Sequence, residues 1–128
     1  EAGAVIEAEV ISHANDGLSQ LRISAGMLEL PGVQAAVGSR VRLRIMAQDV
    51  LLATQRPEGL SALNVLPVTV QSIRQGTGPG VAVALQAGTD ILLARITRRA
   101  VTTLGLHEGA QVFAVFQATT VAPESIGH

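Results

Sequence analysis

The stretch at 38–54, GSRVRLRIMAQDVLLAT, constrains the fold more than any other part of the chain. In its first half, apolar residues alternate one for one with arginines. A period of two places alternate side chains on opposite faces of a β-strand, so the pattern predicts a strand with a buried apolar face and a solvated arginine face. The apolar members are Val41, Leu43, Ile45 and Ala47, and the arginines are Arg40, Arg42 and Arg44.

The same alternation recurs along most of the chain and is broken by turn signals. Asp16-Gly17 favours a hairpin turn, because glycine adopts positive φ without a steric penalty. GTGPG at 76–80 lacks the Gly-Lys-Ser/Thr ending of a phosphate loop, so a hairpin is predicted there too. Further strands are predicted from AVIEAEVISH (4–13), LPVTVQSIRQ (66–75), VAVALQAG (81–88), DILLARI (90–96) and AQVFAVFQATTVAP (110–123).

One segment departs from this pattern and predicts a short helix. Ile96, Ala100 and Leu104 recur at helical spacing. Thr97 is a suitable N-cap, and Gly105 suits the residue that ends the helix. The sequence therefore predicts a single helix of about two turns.

The two halves of the chain look like copies of one unit. IEAEVI (6–11) aligns with VTVQSI (68–73) at an offset of 62, and GSRVRLRIMAQDV (38–50) aligns with GAQVFAVFQATTV (109–121) at an offset of 71. Two short, strongly turned β units favour small barrels, since closure removes exposed strand edges. The predicted fold class is all-β with one short helix, built as a tandem pseudo-repeat of OB-fold-like barrels.

Composition excludes several classes of function. The 128-residue chain has a net charge of −1, two Phe, no Trp or Tyr, and no Cys. Neither a basic field nor stacking aromatics are present to bind nucleic acid, and no apolar run is long enough to insert into a membrane. No thiolate metal site is possible, and His13, His107 and His128 lack ligand spacing. Without a nucleophile–base pair, we expect no catalysis, and the start at Glu1 suggests a fragment.

The second half of the chain contains four short motifs in order. They are Ser61-Ala62-x-Asn64, Ala94-x-Ile96-Thr97, Leu104-Gly105-Leu106-x-x-Gly109 and Ala118. With these motifs the chain resembles a Mop domain, the molybdate-binding OB-fold module, and thus the C-terminal TOBE/Mop regulatory domain of the ATP-binding subunit of molybdate ABC transporters. The upstream segment at 40–67 is similar to the segment that precedes this module in those subunits.

The resemblance implies a domain organisation. Residues 1–55 would form a degenerate first Mop/TOBE-like unit, and 56–66 would connect it to the next. Residues 61–123 would form the Mop/TOBE OB-fold unit, followed by a tail at 124–128.

The resemblance also implies a site for molybdate or tungstate between barrels. A tetrahedral oxyanion needs converging hydrogen-bond donors to replace its water. One wall would come from Ser61, Ala62, Leu63 and Asn64, and the other from the last strand of a neighbouring barrel, at Gln117, Ala118 and Thr119.

Two residues depart from the family's pattern at this site. Leu63 replaces a basic residue, and Gln117 replaces a lysine. Losing the lysine removes a charge-assisted hydrogen bond, so the site would be weakened or silent unless Arg95, Arg98 or Arg99 compensates. On residue chemistry alone, Ser61 and Asn64 could simply cap a turn and start a strand.

The implied function is regulation by oxyanion binding, without catalysis and without a cofactor. Two copies would pair as a homodimer. The partners would be a parent ATPase domain and the membrane subunits of the importer, on the cytoplasmic face of the plasma membrane. Two alternatives remain open: a structural dimerisation module with a decayed anion site, and a stand-alone molybdate-storage or sensor protein.

Overall fold

The chain folds as two five-stranded antiparallel sheets, with one short helix between two strands of the second sheet. The computed structural model describes residues 3–62, 64–76, 78–121 and 126–127. The first sheet has the strand order β10-β4-β1-β2-β3, and the second has the order β5-β9-β6-β7-β8. The elements are β1 (Gly3–His13), β2 (Leu18–Ile23), β3 (Gly26–Pro31), β4 (Arg40–Met46), a first 3₁₀ turn (Ala47–Asp49), β5 (Leu51–Ala53), β6 (Asn64–Gln75), β7 (Gly80–Ala87), β8 (Asp90–Thr97), α1 (Arg98–Leu104), β9 (Gln111–Phe116), a second 3₁₀ turn (Ala118–Thr120) and β10 (Ile126–Gly127).

The period-two prediction is confirmed for residues 40–46, after which Ala47 lies in the first 3₁₀ turn instead of the strand. β4 has the burial alternation expected of it, with its three arginines exposed and its apolar residues buried. The predicted hairpins are present between β1 and β2 and between β6 and β7, although Thr77 of the second turn lies outside the described residues. The helix is also confirmed: Thr97 accepts a hydrogen bond from the Ala100 N–H, and Gly105 ends the helix at φ 64°.

The two halves repeat the same backbone plan, β1–β4 in the first and β6–β9 in the second. Val10 and Val70 occupy equivalent places, because each precedes a β-bulge and each exchanges backbone hydrogen bonds with the segment before the last strand of its unit. Gly38 and Gly109 donate the matching bonds, which confirms the offset of 71. The offset of 62 for the first strand is wrong: Val10 to Val70 gives 70 − 10 = 60.

The two units exchange strands. β5 follows the first unit in sequence but pairs with β9 of the second sheet, where Leu51 lies opposite Val115. At the other end of the chain, Ile126 pairs with Leu43 of β4, so part of the predicted tail forms a strand of the first sheet. Each sheet is therefore completed by a short strand that follows the other unit in sequence. Buried residues of both sheets form one continuous apolar cluster.

The last strand is shorter than the sequence predicts. β9 ends at Phe116, and Ala118–Thr120 forms a 3₁₀ turn instead of continuing the strand. Thr120 closes the turn: its backbone N–H and its Oγ1 both donate to the Gln117 carbonyl oxygen, at 3.1 and 2.7 Å. The Thr120 N–H is thus used within the turn and not in a sheet. No helix within the described ranges is both long and apolar enough to cross a bilayer.

The two units also touch through the tips of their hairpins. Ser24, after β2, donates to the Asp90 carboxylate at 2.8 Å, and the Thr89 N–H donates to the Ser24 hydroxyl at 3.0 Å. Gly88 lies in the same contact at φ 61°, and a Cβ there would be 2.5 Å from Ser24 Oγ and 2.8 Å from the backbone nitrogen of Ala25. A side chain at residue 88 therefore has no room.

Gly88→Ala is expected to lower the free energy of unfolding by about 2 kcal/mol or more, because it combines a strained φ with a clash against backbone. Gly17→Ala is the matched control, since Gly17 also has positive φ but a Cβ added there would have nothing within 4 Å. Urea unfolding of both variants separates the two effects. Equal losses of unfolding free energy in the two variants would show that the contact between the hairpin tips contributes nothing to stability.

Candidate oxyanion-binding site

Two of the predicted site segments meet at one end of the second sheet. β6 and β9 are antiparallel neighbours, with Asn64 at the start of β6 opposite Phe116 at the end of β9. This pairing brings the residues before β6 next to those after β9. The Ser61 hydroxyl lies 3.5 Å from Gln117 Oε1, a long hydrogen bond in which Ser61 donates. The two predicted segments therefore lie side by side within one chain, and an oxyanion held between neighbouring barrels stays a prediction.

The 3₁₀ turn decides which side chains of the second wall are accessible. Gln117 and Thr119 are exposed, whereas Ala118 is buried at 6% exposure. Ser61 is also exposed, and Ala62 is half-buried. Hydroxyl and carboxamide donors are thus presented at the surface around a small apolar residue. Leu63 lies outside the described residues.

Asn64 begins β6, as one of the two interpretations of the sequence predicted, and its part in an anion wall stays a prediction. Its side chain is fully buried, at 0% exposure. Its Oδ1 accepts a hydrogen bond from the Glu29 backbone N–H at 2.8 Å, and its Nδ2 donates to the Glu29 carbonyl oxygen at 3.2 Å. Since β3 is the edge strand of the first sheet, Asn64 acts there like one residue of an additional strand. Its amide joins the two sheets in this chain, and because the side chain is fully buried it presents no donor at the surface.

The second unit carries this asparagine and the first unit does not. Strand pairing places Ala4 opposite Ile45 just as Asn64 lies opposite Phe116, and the offsets 64 − 4 = 60 and 116 − 45 = 71 agree with those of the repeat. Alanine cannot pair with a strand edge through its side chain. The bridge between Asn64 and Glu29 is therefore a specific feature of the second unit.

The accessible side chains of the site are neutral. Ser61, Gln117 and Thr119 carry no charge. Of the arginines that the sequence offers as replacements for the lost lysine, Arg95 lines a separate cavity with Arg74, and Arg98 donates to the Gly78 carbonyl oxygen at 3.4 Å. Both of these arginines are therefore placed elsewhere on the second unit. Binding would depend on neutral donors.

The histidines and carboxylates in the described part of the chain do not form a metal site. No three His, Asp or Glu side chains there are grouped to hold a metal ion. His13 bonds instead to the Ser19 hydroxyl and the Ala35 carbonyl oxygen, at 2.6 and 2.9 Å. His107 bonds to the carbonyl oxygen of its neighbour Glu108. The His13 ring therefore connects two strands and a loop, whereas the His107 ring bonds within its own loop.

Sequence reasoning missed the partner of Asn64 and the placement of Arg74 and Arg95 in one cavity. Glu29 takes part through its backbone, so its residue type carries no signal of the contact. Arg74 and Arg95 lie on strands separated by β7, and only the strand register brings them to one face.

Comparison with known proteins identifies the class of this fold. Residues 60–123, half of the chain, match the family model of the TOBE domain, and the chain belongs to that family. Its whole architecture resembles a crystal structure of the cytoplasmic molybdate-binding protein ModG with molybdate bound. The TM-score is 0.83 at 27% identity, over 96% of this chain and 94% of that one. The prediction of a tandem Mop-like fold is confirmed.

Sequence relatives connect the chain to a particular kind of protein. It is 40% identical over 121 residues to the molybdenum import ATP-binding protein ModC of Mesorhizobium japonicum, covering 94% of this chain and 33% of that protein. It is 42% identical over 122 residues to ModC of Albidiferax ferrireducens, again covering 94% and 33%. The chain thus spans about a third of the length of these relatives, and the predicted resemblance is confirmed.

Proposed function

We propose that this chain is the regulatory oxyanion-binding domain of the ATP-binding subunit of a molybdate importer. The observation that carries the proposal is the meeting of Ser61 with Gln117 at an exposed end of the second sheet. The similarity to ModC and to molybdate-bound ModG supports both the context and the ligand. The site lies in the unit at 61–123, while the unit at 1–55 has Ala4 in place of Asn64.

Binding would be completed by a second copy of the chain. Ser61, Gln117 and Thr119 are exposed and offer few donors, whereas a tetrahedral dianion needs several. Two copies facing each other would double the donors and exclude water. A ligand that binds only the paired state shifts the equilibrium toward it by its differential affinity. In the parent subunit, on the cytoplasmic face of the membrane, such pairing would reduce transport when oxyanion is plentiful.

A second function is favoured by the geometry of Asn64. Both polar atoms of its side chain are occupied by Glu29, and the accessible side chains of the site are neutral. These observations support a structural module that pairs two subunits without binding an anion. The two functions differ in one property, whether molybdate binds.

Calorimetric titration with molybdate, tungstate and sulfate, combined with mass measurement, separates them. Ser61→Ala removes one donor of the site and is expected to weaken molybdate binding by about threefold to tenfold, as for a neutral hydrogen bond. Ser12→Ala is the control, because Ser12 is exposed on β1 in the other unit. Dimers that persist without any heat at millimolar molybdate would contradict the regulatory function and favour the structural one.

A further inference from the structure

Two arginines line a cavity of about 250 Å³ on the outer face of the second sheet. Its charged lining residues are Arg74 at the end of β6 and Arg95 in β8. Its floor includes Ala82 and Leu93, so the two guanidinium groups stand beside apolar surface. The cavity lies next to the first 3₁₀ turn, through Ala47, and neither Ser61 nor Gln117 lines it.

Strand register explains why the two arginines share this cavity. Arg74 pairs with Ala82, and Ala82 pairs with Arg95, so the three residues form one row across β6, β7 and β8. Adjacent strands are about 4.8 Å apart, which places the two arginine backbones roughly 10 Å from each other. The small side chain of Ala82 leaves the space between them open. Gly80 adds to it, since a Cβ there would lie 3.1 Å from Arg95 Nε.

The charges of the two arginines are not neutralised within the described part of the chain. Two ion pairs there join Arg22 to Glu9 and Arg40 to Glu7, whereas the side chains of Arg74 and Arg95 form no hydrogen bond or ion pair with the described residues. None of the described residues that line the cavity carries a carboxylate. Two unpaired guanidinium groups around a concave apolar floor attract an anion and can bind its oxygens bidentately.

The first unit has the same backbone but no such cavity chemistry. The hydrogen bond from the Ala14 N–H to the Leu18 carbonyl oxygen, and the pairing of Leu18 with Pro31, extend the same row of strands there. The first-strand offset of 60 matches Ala14 to Arg74. Leu21 and Leu85, which pair with Val10 and Val70, give the next two strands an offset of 85 − 21 = 64, which matches Leu18 to Ala82 and Pro31 to Arg95. The fold itself therefore does not require cations in this row, and the arginine pair is specific to the second unit.

We propose that this cavity binds a phosphate group, held between Arg74 and Arg95, with the apolar floor in contact with an organic substituent of the phosphate. The site is separate from the oxyanion site at Ser61 and Gln117 and does not depend on it. A phosphate monoester in solution and a phospholipid headgroup share this chemistry. The two sources are distinguished by the form in which the phosphate is offered.

Calorimetric titration with glycerol 3-phosphate and with inorganic phosphate tests the solute source, and co-sedimentation with phosphatidylglycerol vesicles tests the lipid source. Arg74→Gln and Arg95→Gln are each expected to weaken binding by about tenfold or more, as for loss of a charge-assisted hydrogen bond. Arg44→Gln removes the same charge from an exposed position on β4 and is expected to change binding by less than about twofold.

The outcomes separate this site from the one proposed for molybdate. Binding of either phosphate source that depends on both arginines, and that survives Ser61→Ala, supports the proposal. Absence of binding in every assay, or equal losses in Arg44→Gln and Arg95→Gln, would overturn it. Molybdate titration of Arg95→Gln reports on the Ser61 site alone, so failure at one site is not mistaken for failure at the other.

Discussion

Asn64→Ala is expected to lower the free energy of unfolding by about 3 kcal/mol, because it leaves two backbone groups of Glu29 without partners. The wild-type amide satisfies the Glu29 N–H and the Glu29 carbonyl oxygen at once, in a fully buried position. Each buried group that loses its partner costs about 1–3 kcal/mol. The loss also opens the edge of β3, which invites aggregation. Urea unfolding monitored by circular dichroism gives the change directly.

Two further variants isolate the cause. Gln34→Ala removes a carboxamide from an exposed loop residue and is expected to change stability by less than about 0.5 kcal/mol. Asn64→Asp keeps the acceptor for the Glu29 N–H but loses the donor to its carbonyl oxygen whenever the introduced carboxyl is ionised. Stability of that variant relative to wild type, compared at acidic and neutral pH, reports on the missing donor.

The expected sign of this pH dependence follows from burial. Burial favours the neutral form of a carboxyl, so its pKa in the folded state is raised above the unfolded value. A protonated carboxyl can donate to the Glu29 carbonyl oxygen as the amide does. The variant is therefore closest to wild type below the unfolded pKa, and it loses stability as pH rises through the folded pKa. A deficit that does not change with pH would contradict the pairing.

Local patterns in the sequence predict much of this fold. The alternation in β4 identifies the buried face correctly, because a strand with one covered face must keep period two. Thr97 and Gly105 locate the helix, since capping depends on residues within one turn. Both kinds of signal are local, and both are confirmed.

The same periodicity also explains two errors. An offset of 62 instead of 60 between the units keeps every apolar residue on its face, so a shift of two leaves the pattern unchanged. After Phe116, exposed Gln117, buried Ala118 and exposed Thr119 continue the strand's alternation although the backbone has turned into a 3₁₀ helix. Burial pattern alone cannot separate these conformations over so few residues.

The parts that sequence could not predict are contacts between distant segments. Leu51–Ala53 reads as a continuation of the first unit, and only its pairing with β9 shows the exchange of strands. The amide of Asn64 fits an anion wall or a strand edge equally well by chemistry. Its partner is chosen by how the two sheets pack, which no local pattern records. Since Asn64 is buried and Gln117 is exposed, we expect anion affinity to depend more on Gln117 than on Asn64.

Gln117→Lys is expected to raise molybdate affinity by about tenfold or more, because it introduces a charge-assisted hydrogen bond worth about 1.5–3 kcal/mol. Gln117 is exposed, and its side chain lies 3.5 Å from the Ser61 hydroxyl, so an ammonium group there would reach an anion held by Ser61. Lysine also stands at this place in the family's pattern. Gln111→Lys adds the same charge at an exposed residue at the start of β9 and controls for long-range attraction. Calorimetry at low and high salt compares the molybdate affinities of the two variants. A local hydrogen bond survives salt better than an attraction between separated charges, because that attraction is screened within about 10 Å at 0.1 M. Equal gains in both variants, or none in either, would mean that Ser61 and Gln117 do not form a wall of the site, and the structural function would then account for the domain.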